Sequence, residues 1–325
     1  MHYVTRLSHA RSAFSYPLAM NRNLQWHNAS DATGQHWQLT LPLPEIPPDH
    51  LITPSYVQLT SGYRYQWTAR VASTEIPLAP TPAREPFTTA ARETLADTSP
   101  LTNEIDCWHS RAMVQPQLTL KVSTTSEPID CLVVVNVRPL VLAPSLPEGT
   151  RVALTPPLAI SQYIAPTETR NRICSPTALH MALSQLGHTG TWAATVAGCF
   201  DADTQAYGKW PMAMLWASKH GFVGAVELFS DWATVVELLS QEIPIVCSIR
   251  YPTGGLSGAP LQQTPGHLVL LYGIENQEVL VMDPAGKTCD NVQQRYRIEE
   301  FNKVWLCHRG AGYVIAPRQG RRSLA

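Results

Sequence analysis

Charge is scarce in this chain. Asp, Glu, Lys and Arg make up 15% of its 325 residues against a usual quarter, and the net charge is -1. That balance argues against a nucleic-acid partner, and a hydrophobic content of 44% excludes disorder. Long apolar runs are also missing. Leu132 to Val141 falls short of the roughly 18 residues that a membrane span requires, and it reads as a strand. The stretch Met1 to Asn28, broken by Arg6, His9, Arg11 and Arg22, builds no apolar signal segment, so a cytoplasmic location without a membrane partner is expected. Seven cysteines occur without a Cys-x-x-Cys pair, which disfavours a disulfide framework or a zinc site. Five or six of them read as small buried hydrophobes, with Cys174 as the exception.

Proline divides the chain, since most of the 27 prolines precede residue 150. The same half holds short alternating runs that predict strands: His36 to Leu41, Tyr63 to Val71, Gln117 to Val122 and Cys131 to Val137. An all-β sandwich over residues 1–145 is the natural way to pack them. The Pro- and Thr-rich interval Glu75 to Leu101 predicts a long surface loop. Around Ala143 to Pro157 both periodicities break, which places a linker at 146–158. The remainder, 159–318, changes character. Helices are expected over Ser175 to Leu183, Trp210 to His220, and Trp232 to Gln241 capped by Asp231; strands follow over Pro244 to Tyr251, His267 to Ile274, Glu278 to Met282 and Gly312 to Ala316. Helices first and an antiparallel sheet after is an α+β order, with a cleft between the two lobes.

Three residues in this half point to chemistry. Cys174 opens an apolar-periodic segment, so its thiol meets the exposed amides of a helix start, and those favour a thiolate. His267 begins an apolar β run, where a buried imidazole needs partners for both nitrogens. Asp283 ends the next run, just before Pro284. Thiol, base and orienting acid therefore occur in order. No metal or cofactor is implied: Cys107 with His109 and Cys307 with His308 lack further ligands, and Gly254-Gly255 lacks the lysine of a phosphate loop. Trp26, Trp37, Trp67 and Trp108 fit either buried sandwich aromatics or a ligand platform.

Four segments together resemble the papain-like cysteine peptidases, and most closely the bacteriocin-processing, peptidase C39-like branch. They are Ile160-Ser161-Gln162, Arg172 to Leu179, Gly266 to Gly273, and Met282-Asp283-Pro284; Gly255 to Pro260 adds a fifth. The likeness spans about 155–318 and implies a papain-like α+β fold that cleaves peptide or protein substrates. It implies Cys174 as nucleophile, His267 as general base and acid, and Asp283 as the group that orients the imidazole. Its oxyanion glutamine is expected a few residues before the nucleophile, where this chain has Glu168; Gln162, twelve residues upstream, takes that role with the Cys174 amide if the intervening loop carries an insertion. A deamidase or acyl transferase would use the same thioester, and an inactive papain-like scaffold would tolerate Glu168. The N-terminal half is expected to position a substrate or partner.

Overall fold

The computed structural model describes residues 3–9, 24–31, 34–60, 62–82, 99–104 and 106–318. Most of the loop expected after Glu75, residues 83–98, lies outside the described residues, while Thr74–Pro77 within that region is a strand. The N-terminal half supplies β1 (Tyr3–His9), β2 (His27–Asp31), β3 (Gly34–Pro42), β4 (His50–Gln58), β5 (Arg64–Val71), β6 (Thr74–Pro77), β7 (Leu101–Asn103), β8 (Trp108–Ser110), β9 (Gln117–Ser123) and β10 (Cys131–Pro139). They form two antiparallel sheets, ordered β1-β10-β4-β8-β7 and β2-β3-β9-β5-β6.

A single apolar core lies between these sheets. Ile52, Tyr56, Val133 and Val135 enter it from one sheet, and Leu39, Tyr65, Trp67 and Leu120 from the other. Each large side chain so buried contributes about 1.5–3 kcal/mol. Trp26, Trp67 and Trp108 are buried in this core and Trp37 packs against it, which removes the ligand-platform reading of the four tryptophans. β4 was not foreseen because all nine of its residues are buried, so it shows no alternation of apolar and polar residues.

The C-terminal half supplies β11 (Val152–Ala153), α1 (Thr167–Arg170), α2 (Cys174–Gln185), α3 (Trp192–Gly198), α4 (Trp210–Lys219), β12 (Phe222–Leu228), α5 (Trp232–Ser240), β13 (Ile245–Tyr251), β14 (Thr264–Glu275), β15 (Glu278–Met282), β16 (Gln293–Arg297), α6 (Ile298–Val304) and β17 (Ala311–Pro317). One antiparallel sheet collects its strands in the order β12-β17-β13-β14-β15-β16, with β11 beside β14. The expectation that helices precede the sheet is corrected, since β12 lies between α4 and α5, and α6 between β16 and β17. Asn276 and Gln277, both at positive φ, make the tight turn that joins β14 to β15. Helix α2 is buried continuously from Ser175 to Leu183, so it runs through the core rather than along its surface. Val152 and Ala153, inside the expected linker, pair with Ile274 and Gly273.

Strand alternation joins the two halves. Along β10, Cys131, Val133, Val135 and Val137 face the N-terminal core, while Leu132 and Val134 belong to the core of the C-terminal sheet. The next two residues on that second face are polar. Asn136 Nδ2 donates to Val226 O at 3.1 Å, and Arg138 donates to Leu306 O at 2.7 Å and to His308 O. From β4, Ser55 Oγ accepts from Val226 N at 3.1 Å. Both backbone groups of Val226, on edge strand β12, are therefore satisfied by side chains of the first sheet.

Replacing Asn136 with leucine leaves the Val226 carbonyl unmatched in a buried seam. The expected loss is about 1–3 kcal/mol, measured as a lower urea midpoint, and Ser55→Ala in the same chain deepens it.

Candidate active site

Helix α2 begins at Cys174. Ile173 precedes it at φ -117° and ψ 21°, with no side-chain cap, so the first amides of the helix are left for other acceptors. Ser175 Oγ and the Tyr313 hydroxyl, 2.8 Å apart, tie this first turn to β17. The Cys174 thiol is half-buried and touches the His267 imidazole as well as the backbone of Leu268 and Ser175.

Two adjacent antiparallel strands bring His267 and Asp283 to one end of the sheet. β14 carries His267 near its start and β15 ends at Met282, with Leu270 opposite Met282 in the register. His267 Nε2 lies 2.7 Å from Asp283 Oδ1, which leaves Nδ1 as the ring nitrogen that faces sulfur. Asp283 is fully buried, and its environment supplies three further bonds. Its N–H donates to Val292 O at 2.7 Å, Ala285 N donates to Oδ1 at 2.9 Å, and the Tyr296 hydroxyl donates to Oδ2 at 2.8 Å.

The electrostatics follow from this contact set. Burial alone pushes the Cys174 thiol up; the hydrogen bond and positive charge of His267, with the two backbone contacts, outweigh it and hold the thiol below its ordinary value. Burial alone lowers His267, but the Asp283 carboxylate and the thiolate raise it to about 10. Asp283 is likewise pushed up by burial and brought below the ordinary carboxylate range by His267, Ala285 and Tyr296. The contrast with other thiols is sharp. Cys107 is pushed up to about 12 by burial, and Cys199 and Cys247 are also raised. The arrangement favours a thiolate–imidazolium pair, the state in which sulfur is nucleophilic and the ring already holds a proton to give away.

Gln162 is buried on a short 3-10 turn, Gln162–Ile164. Its backbone N–H donates to Pro284 O at 2.8 Å, and Ser161 Oγ donates to Gly286 O, so this turn is fastened to the loop that carries Asp283. Its side-chain Oε1 is buried with no hydrogen-bond partner among the described residues. Glu168, by contrast, is exposed in α1. Helix α1 is part of the loop between Gln162 and Cys174 that the twelve-residue spacing required. The four residues singled out in the sequence thus lie on elements joined to one another.

The expectation of five or six buried structural thiols is corrected to four: Cys107, Cys131, Cys199 and Cys247 are buried, Cys307 is half-buried and Cys289 exposed. Two groups at Asp283 were missed, the Ala285 amide and Tyr296. The tyrosine left one sequence signal. It is the single aromatic in the polar strand Gln293–Arg297, and the one residue of that strand that is buried.

The pair also makes stability depend on pH. His267 is raised above its ordinary 6.5, so its contribution is complete below that pH and is lost as pH climbs through about 10. Asp283 is depressed, so its contribution is present above the ordinary carboxylate value and is lost as acid protonates it. The depressed Cys174 thiol gains stability as pH rises toward the ordinary thiol value of about 8.5 and offsets the His267 loss up to there. Urea midpoints are therefore expected to hold level from pH 7 to about 8.5, to fall from there to about 10, and to fall less in Asp283→Asn.

Residues 159–313 match the model of the Peptidase C39 like family. Among solved structures, a chain described only as a candidate C39-like peptidase from Bacillus anthracis aligns with 14% identity and a TM-score of 0.40, covering 52% of this chain and 98% of its own. No curated protein matches. The resemblance carried by Cys174, His267, Asp283 and their flanking motifs is borne out by the match of residues 159–313 to the peptidase C39-like family model.

Proposed function

We propose that this protein is a thiol-dependent hydrolase that cleaves peptide bonds through Cys174, His267 and Asp283. The observation that carries the reading is one thiol, at a helix start and half-buried, held below its ordinary pKa by an imidazole that a buried carboxylate backs. In this reading the Cys174 thiolate attacks the substrate carbonyl carbon. The oxyanion that forms is met by the Cys174 amide, at the first position of α2 where no intrahelical acceptor exists, and by the Gln162 side chain. His267 gives its proton to the leaving amine, and an acyl-enzyme remains on sulfur. The imidazole, now neutral, takes a proton from water as it attacks the thioester, and sulfur leaves as thiolate, which releases the acid and restores the thiolate–imidazolium pair. Asp283 holds the ring with Nδ1 toward sulfur and stabilises the imidazolium.

Within this reading the chain divides into a β-sandwich domain at 1–145, a linker at 146–158 and a papain-like domain at 159–318. Support comes from placement: Gln162, Cys174, His267 and Asp283 all lie on elements of the C-terminal half, and the N-terminal strands add none. The sandwich then acts as an accessory to the site through the seam at Val226. Seven free thiols support a reducing, cytoplasmic setting, and among the described residues no helix is long and apolar enough to cross a membrane. The exposed position of Glu168 weakens the inactive-scaffold alternative, which rested on a carboxylate in the glutamine's place.

The test is cleavage of a peptide library followed by mass spectrometry, with ammonia release measured in parallel to detect a deamidase. Cys174→Ala is expected to abolish cleavage without loss of fold, and full activity in that variant sinks the proposal. The rate is expected to rise with pH below the ordinary thiol value of about 8.5 and to fall as His267 loses its proton near about 10. Gln162→Ala is expected to lower kcat about a hundred- to a thousandfold with KM little changed, read from steady-state kinetics.

A further inference from the structure

Asp283 has two carboxylate oxygens and no contact with solvent. Oδ1 serves His267 Nε2 at 2.7 Å and the Ala285 amide at 2.9 Å. Oδ2 receives the Tyr296 hydroxyl at 2.8 Å. Rotation of the carboxylate about its bond to Cβ would exchange the two oxygens, and the phenol is the one side-chain bond that distinguishes the Oδ2 position. The tyrosine itself is fixed. Its ring is 1% exposed and stacks on Phe301 of α6, with centroids 6.2 Å apart and planes 11° from parallel.

We propose that Tyr296 is a positioning residue of the candidate active site, whose hydroxyl locks the Asp283 carboxylate in the rotation and charge state that orient His267. The inference rests on the catalytic reading of Cys174 and His267. A buried carboxylate oxygen without a donor loses part of what keeps it ionised, so removing the phenol makes Asp283 easier to protonate. A protonated Asp283 no longer holds the imidazolium, and the thiolate at Cys174 then loses its counter-charge. The groups that face Asp283 are His267 from β14, Tyr296 from β16, Tyr251 from β13, and Cys174 from α2 through the imidazole. Tyr251 donates its own hydroxyl to Leu261 O at 3.2 Å and cannot substitute for the missing bond without giving that one up. The Tyr296 phenol is pushed well above its ordinary value by burial and by the carboxylate, so it remains a donor across the accessible pH range.

The test uses full-length protein and a readout that needs no substrate. Alkylation of Cys174 by iodoacetamide is followed against pH by mass spectrometry of the Cys174 peptide, in the native chain and in Tyr296→Phe. The acid limb of the profile is expected to move up by about one pH unit, which is about a tenfold slower reaction at a fixed pH on that limb. Phe301→Leu, which loosens the ring stack and keeps the hydroxyl, serves as the control for a merely structural effect. An unmoved acid limb in Tyr296→Phe overturns the proposal, and so does an equal shift in Phe301→Leu. Because alkylation reports the thiolate and not turnover, a protein that cleaves no peptide still answers this question, and the two readings fail separately.

Discussion

A carboxylate without solvent is tolerated only when each of its oxygens is matched, because the desolvation penalty reaches several kcal/mol per ion. Asp283 meets that condition through a histidine, a backbone amide and a phenol arranged around its two oxygens. The candidate site depends on this solution. His267 is raised because a negative charge lies against Nε2, and Cys174 is lowered because His267 is raised. The hairpin of β14 and β15 supplies the geometry, since adjacent antiparallel strands place the start of one beside the end of the other.

The C-terminal elements were legible where local signals act alone. Asp231 caps α5 with its side chain on Thr234 N, as its place before an apolar-periodic run predicts. Glu278–Met282 is the strand expected there, and Asn276 and Gln277 make its turn. The site residues were legible because Cys174 opens α2, Asp283 directly follows β15, and His267 is an imidazole leading the apolar run of β14, places where chemistry-bearing side chains are conspicuous. Tyr296 was not, because its meaning depends on which strand lies beside β15, and a pairing partner cannot be read from spacing.

Burial on both faces hid other elements. β4 carries no alternation of apolar and polar side chains, and β12, buried throughout, was passed over for the same reason. β10 was found as an apolar run, yet its Asn136 and Arg138 carried more information than its valines. Polar side chains on one face of a buried strand mark where that strand meets backbone groups of another element. The exposed position of Glu168 has a related origin. The sequence fixes its distance from Cys174 along the chain, but the excursion through α1 decides where it points.

Val226 closes the outer flank of the C-terminal sheet. Its outward carbonyl and amide are taken by Asn136 and Ser55, so at that residue the edge offers no vacant rung to a neighbouring polypeptide. The seam between the halves is thereby also a guard against edge-to-edge aggregation.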